Sequence, residues 1–140
     1  MRSIAEIEKA RDERKAAQAA ERLEQEAIDL DAIDTHEAAE GCSLFTMSSN
    51  GFRPGVPVKI AFRTPKPVEY KRYCDMVGKA QAQNDPLARR KAQELLAAAC
   101  LVYPTGDSQK SMLDAFPGVL ISLAIEAAKA AELSAENESK

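Results

Sequence analysis

The sequence predicts an α+β fold that is predominantly α-helical: one small β-hairpin plus a helical bundle of about four to five helices. Apolar residues recur at helical spacing through the first 40 residues and again beyond residue 66. Between these stretches, residues 41–63 alternate apolar and polar side chains around Asn-Gly and Pro-Gly dipeptides. A chain of 140 residues, 45% hydrophobic and 29% charged, suits one ordinary globular domain. No run approaches the roughly 18 apolar residues of a membrane span, and the charged first dozen residues do not have the form of a secretory signal. The net charge of −3 argues against a wholesale nucleic-acid or membrane binder.

That charge is unevenly spread. Residues 1–40 hold six basic and twelve acidic side chains, residues 41–100 ten basic and four acidic, and residues 101–140 three basic and six acidic. The chain therefore divides into an acidic N-terminal helical arm (1–40), a hairpin plus helical domain (41–132) and a polar segment expected to be disordered (133–140).

The arm is expected to be a helix over about 3–38. Ser3 and Glu6 have the S-x-x-E spacing of a capping box, and Gly41 stands where a C-terminal stop is needed. Ala20, Leu23, Ala27 and Leu30 form its apolar stripe, with Ile28 and Ile33 beside them. This stripe is expected to meet a partner helix or the rest of the chain, or the arm is a solvated helix with no specific partner. If integral, the arm is held by Leu23, Ala27 and Leu30. If separate, it loosely screens the basic middle.

Leu44, Phe45, Thr46 and Met47 suit a first strand, and Val56, Val58, Ile60 and Phe62 alternate with Pro57, Lys59, Ala61 and Arg63 as a second. Asn50-Gly51 favours a primed turn and Pro54-Gly55 a type II turn, since each requires positive φ. Pro57 lacks a backbone donor, which puts the second strand at a sheet edge. Because a lone hairpin is marginal, it is expected to pack on helices or pair with another subunit.

Thr64-Pro65-Lys66-Pro67 leads into a helix over about 66–83. Asp85 and Pro86 are expected as N-cap and first residue of a helix over 86–102, with Ala88, Ala92, Leu95, Leu96, Ala99 and Val102 as its apolar face. Tyr103-Pro104-Thr105-Gly106 breaks it. A short helix over 108–115 precedes Phe116-Pro117-Gly118, and the last helix, 118–132, presents Val119, Leu120, Leu123, Ala124, Ala127, Ala128 and Ala131. Leu95, Leu96, Ala99, Val119, Leu120, Leu123 and Ala124 are expected to be buried where these two long helices pack.

No group of residues suggests catalysis. Cys42, Cys74 and Cys100 stand far apart, with no C-x-x-C pair, which fits a reducing compartment. His36 among Asp34, Glu37 and Glu40 reads as a solvated helix end, since no second His or nearby Cys completes a metal shell. The glycines at 51 and 55 do not fit a phosphate loop. The basic side chains Lys71, Arg72, Lys79, Arg89, Arg90 and Lys91 read as solvated faces without an aromatic platform, which disfavours nucleic acid. No cofactor, metal or catalytic residue is expected.

Three stretches carry a resemblance. Residues 58–73 read as a strand ending in R-x-P followed by a helix opening in E-Y-x-R-[FY]. Leu95 to Pro104 and Met112 to Val119 follow in order. This succession resembles the tail assembly chaperones of long-tailed bacteriophages and related tail-like particles, over roughly residues 56–126. The resemblance implies a non-enzymatic, mostly helical protein in the cytoplasm of the bacterial host. Such a protein binds the tape-measure protein, keeps it soluble and helps recruit tail-tube subunits. Val58, Ile60, Phe62, Arg63, Tyr70, Tyr73, Tyr103 and Phe116 are the partner contacts expected within the matching stretches, and the hairpin edge is the expected surface for a homo-oligomer. Met47, Met76 and Met112 read first as buried gap-fillers and, alternatively, as adaptable client contacts. A structural virion subunit and a basic-patch nucleic-acid binder are the alternatives.

Overall fold

The structure, a computed structural model, describes residues 1–49 and 51–138. Five helices and three short strands follow in the order α1 (Ile4–Glu40), β1 (Phe45–Ser48), β2 (Lys59–Phe62), α2 (Pro67–Ala82), α3 (Pro86–Cys100), β3 (Leu101–Tyr103), α4 (Gly106–Ala115) and α5 (Val119–Glu138). The fold is thus α+β and predominantly helical, as the periodicities require.

The helix ends follow local chemistry. Glu6 N–H donates to Ser3 Oγ at 3.2 Å, and Gly41, at φ 70°, donates its N–H to Glu37 O to close α1. At α3, Ala88 N–H donates to Asp85 Oδ1 at 3.1 Å, with Pro86 in the first turn. At α2 the N-cap is Lys66 rather than Thr64, and its N–H donates to Glu69 Oε1 at 2.8 Å. Gly55, at φ 78°, sits in the turn closed by Val56 N–H to Arg53 O, the type II geometry expected of Pro54-Gly55. The Asn50-Gly51 turn lies partly outside the described residues, because it includes Asn50.

β1 and β2 pair antiparallel from Phe45↔Phe62 to Ser48↔Lys59, which is the expected hairpin. Two expectations are corrected. β2 is the middle strand, because Leu101–Tyr103 leaves the end of α3 and pairs with its other side, Ala61↔Tyr103 and Phe62↔Leu101. The free edges are those of β1 and β3. Pro57 is tolerated because it precedes Lys59, where the ladder begins. The helix expected to run to residue 102 accordingly stops at Cys100.

The core joins β2 to α3, α4 and α5 through Ile60, Phe62, Leu96, Met112, Leu123 and Ala127. Along α3 the buried positions are Ala92, Leu96, Ala97 and Cys100. Leu95 and Ala99, expected in the core, are exposed instead. Adjacent helical residues point about 100° apart, so Leu95 and Leu96 cannot both face α5. Leu120 is half-buried, while Val119, Leu123 and Ala124 are buried as expected.

α1 is not a detached arm. Its second half lies on β2 and buries Asp29 and Ile33. The docked face runs Arg22, Gln25, Glu26, Asp29, Ile33, His36 and is mostly polar. Arg22 donates to Ser49 O at 2.7 Å and to Gly51 O at 3.2 Å. Asp29 Oδ2 accepts the N–H groups of Val58 and Lys59 at 2.8 and 2.9 Å. The stripe expected to hold the arm, Leu23, Ala27 and Leu30, is exposed. Among the described residues the carboxylates of α1 form no ion pair with α2 or α3, whereas Arg63 pairs with Glu69 and Arg90 with Glu94.

At the other end, α5 continues through Ser134-Ala135-Glu136-Asn137-Glu138, part of the segment expected to be disordered. These residues contain no Gly or Pro, and Ala and Glu favour continuation of the helix. Residues 139–140 of that segment lie outside the described residues.

Candidate functional site

The eight expected partner contacts divide into separate places. Val58, Ile60 and Phe62 are buried, so as partner contacts they are corrected to core residues. The alternation in this strand anticipated one covered face. Both faces are covered, because the core lies on one side, α1 packs on β2, and Ala61 is buried with its neighbours. Phe62 stacks on Phe45 of the neighbouring strand, with ring centroids 5.5 Å apart. Tyr103 is held by α1, its hydroxyl donating to Asp29 Oδ1. Burial raises its pKa, and the hydrogen bond to Asp29 adds to the shift. Phe116 packs against Gly51 so closely that a Cβ there would overlap its ring.

Arg63, Tyr70 and Tyr73 come together around α2. The Arg63 guanidinium grips the Glu69 carboxylate in two bonds, 2.7 and 2.8 Å, and also donates to Ala99 O at 2.7 Å. Its bond to Glu69 raises the Arg63 pKa. The same bond is the largest cause holding Glu69 down to about 2. This fork joins the exit of β2, the first turn of α2 and the last turn of α3. The next residue along α2, Tyr70, donates its hydroxyl to Glu132 Oε1 at 3.1 Å, tying α2 to α5. Its pKa is raised, chiefly by burial.

Above the fork, α2 and α3 leave an open groove of about 140 Å³ between them. Tyr73, Met76, Leu95 and Leu96 supply its apolar lining, with Glu69 and Arg72 as charged members of the lining. Met76 and Arg72 also belong to an adjoining depression that includes Val68, which is largely exposed, with Lys71 and Asp75. The result is a short apolar trough with a charged rim. It suits apolar side chains of a partner segment, with the charges limiting the angle of approach.

Sequence reasoning pointed to Tyr73 and Met76 but assigned Leu95 to the core. The signal lay in the Leu95-Leu96 pair, of which only one leucine can face α5. Of the three methionines, Met112 is fully buried, Met47 packs against the core, and Met76 alone lines this groove.

Other candidate chemistry is not assembled. The Cys100 thiol is buried and pushed up to about 11 by that burial, which makes it a poor nucleophile. His36 lies 6.4 Å from the Tyr103 ring, and Glu37 accepts the Leu44 N–H at 3.1 Å. Among the described residues no three His, Cys, Asp or Glu side chains are grouped to hold a metal ion, and no single helix is long and apolar enough to cross a membrane. No protein-family model, curated protein or solved structure matches the chain.

Proposed function

We propose that the chain is a non-enzymatic tail assembly chaperone of a long-tailed bacteriophage or a related tail-like particle. In this reading it acts in the cytoplasm of the bacterial host, binds the tape-measure protein and helps recruit tail-tube subunits. The observation that supports the reading is the open apolar groove between α2 and α3, with Met76 and Leu95 at its surface and charges around it. A protein that keeps long amphipathic helices soluble needs such a surface and needs no reactive group. An unbranched Met side chain adapts to differing client residues.

The test is co-expression with the tape-measure protein of the same phage. The reading expects the tape-measure protein to move from the insoluble to the soluble fraction, and Leu95→Asp to abolish that effect in a chain that stays folded. Failure to solubilise the tape-measure protein overturns it. So does the presence of the chain in purified particles at a fixed stoichiometry, which belongs to a structural virion subunit.

A further inference from the structure

An exposed apolar row lies on α1. From Ile4 to Glu21 every residue except Ala10 is exposed, so this half of the helix rests on almost nothing of its own domain. An unsupported helix of this kind is marginal in water. On the docked half, Leu23 and Leu30 remain 66% and 49% exposed. Together with Ala16, Ala20 and Ala27 they recur with alternating spacings of four and three, the seam of a coiled coil. At the helical repeat this seam is turned about 130° from the face that holds Asp29 and Ile33. It therefore stays open while α1 is docked on the sheet.

Two features identify what covers it. The first is that the seam is nearly palindromic about Leu23. An antiparallel second copy centred there sets Ala16 against Leu30, Ala20 beside Ala27, and Leu23 against itself, so each seam residue has an apolar neighbour. The second is charge. Residues 9–15 hold Lys9, Arg11, Arg14 and Lys15 against Asp12 and Glu13, whereas residues 31–37 hold Asp31, Asp34 and Glu37 with no Lys or Arg. Antiparallel pairing lays the basic segment of each copy beside the acidic segment of the other. Parallel pairing lays the two acidic segments side by side, which is repulsive. We infer that the chain self-associates through α1 as an antiparallel two-helix dimer, leaving the α2–α3 groove of each copy free. The contact is isologous and closes at two copies.

Sedimentation across a concentration series tests this on the full chain. A monomer–dimer equilibrium is expected. Leu23→Lys combined with Leu30→Lys is expected to raise its dissociation constant by about a hundredfold or more, the scale of losing two buried leucines. Both side chains are exposed in the monomer, so the variant should keep its far-ultraviolet dichroism. A chain that remains monomeric to millimolar concentration overturns the inference, as does a dimer indifferent to the double substitution. Orientation is read separately in a Cys42→Ser, Cys74→Ser background. Mixing an Ala16→Cys chain with a Leu30→Cys chain should give a mixed disulfide, and neither alone should cross-link efficiently. Efficient self-cross-linking of the Ala16→Cys chain shows parallel pairing and overturns the antiparallel arrangement.

Discussion

The hydroxyl of Tyr103 donates to Oδ1 of Asp29 at 2.6 Å, across 74 residues of sequence. Asp29 is fully buried, and its carboxylate also accepts from Gln25 Nε2 and from the N–H groups of Val58 and Lys59. One side chain of α1 thereby ties the entry of β2 to the end of β3. Removing it as Asp29→Ala leaves two strand amides and a tyrosine hydroxyl without their acceptor. The expected loss is about 2–4 kcal/mol in chemical denaturation, whereas Tyr103→Phe should cost about 1–2 kcal/mol. A double-mutant cycle should show strong coupling between the two positions. Additive losses would mean that the bond does not hold α1 in place.

Truncation separates the two halves of α1. Removing residues 1–20 should leave the thermal unfolding of the monomer nearly unchanged, because those residues cover little. Removing residues 1–38 takes away Arg22, Asp29 and Ile33 together and should unfold the domain or lower its midpoint severely. A stable, cooperative domain after the longer deletion would contradict the docked geometry.

Leu95 and Leu96 form an internal control. Leu96 is 3% exposed within the core, and Leu96→Ala should cost about 2–5 kcal/mol. Leu95 is 50% exposed at the groove, and Leu95→Ala should stay within about 1 kcal/mol. Urea denaturation of the two variants checks the facing of α3, and equal losses would refute it.

The Arg63–Glu69 fork carries a pH signature. Glu69 titrates near its ordinary 4.5 in the unfolded chain but is held at about 2 in the folded one, chiefly by its bond to Arg63. Its contribution is therefore fully present above about pH 4.5 and is lost as the pH falls through about 2. Glu69→Gln should lower stability at neutral pH by roughly 1–2 kcal/mol, the value of a charge-assisted pair discounted for partial exposure. It should also flatten the acid limb of the stability curve. An unchanged acid limb in the variant would assign the acid sensitivity to other carboxylates.

Gly51 is required by Phe116. A Cβ at position 51 meets the ring of Phe116, so Gly51→Ala should cost about 1–3 kcal/mol through displaced packing. Phe116→Leu, which shortens the obstacle, should recover part of that loss. Failure of this rescue would place the strain in the backbone instead.

Local signals settled much of the architecture. Ser3, Gly41, Asp85 and Pro86 mark helix ends by chemistry confined to a few residues, and Pro54-Gly55 fixes its turn by the φ that glycine alone adopts freely. Period-two alternation located β2, and helical spacing located α3 and α5. What tertiary structure decided was the facing of each element. Leu101-Val102-Tyr103 continues the apolar pattern of α3, and only the vacant side of β2 makes it a strand. Leu23 and Leu30 are apolar yet stay exposed, whereas α1 docks through Arg22 and Asp29 beside the single apolar Ile33. The reason is that strand amides and loop carbonyls left without partners are costly to bury, and polar side chains can satisfy them whereas leucines cannot. Coverage of both faces of β2 made Val58, Ile60 and Phe62 core residues, and the offset of about 100° from Leu96 left Leu95 at the groove. Periodicity records that a face is apolar, but what covers that face is set by residues far away in the chain.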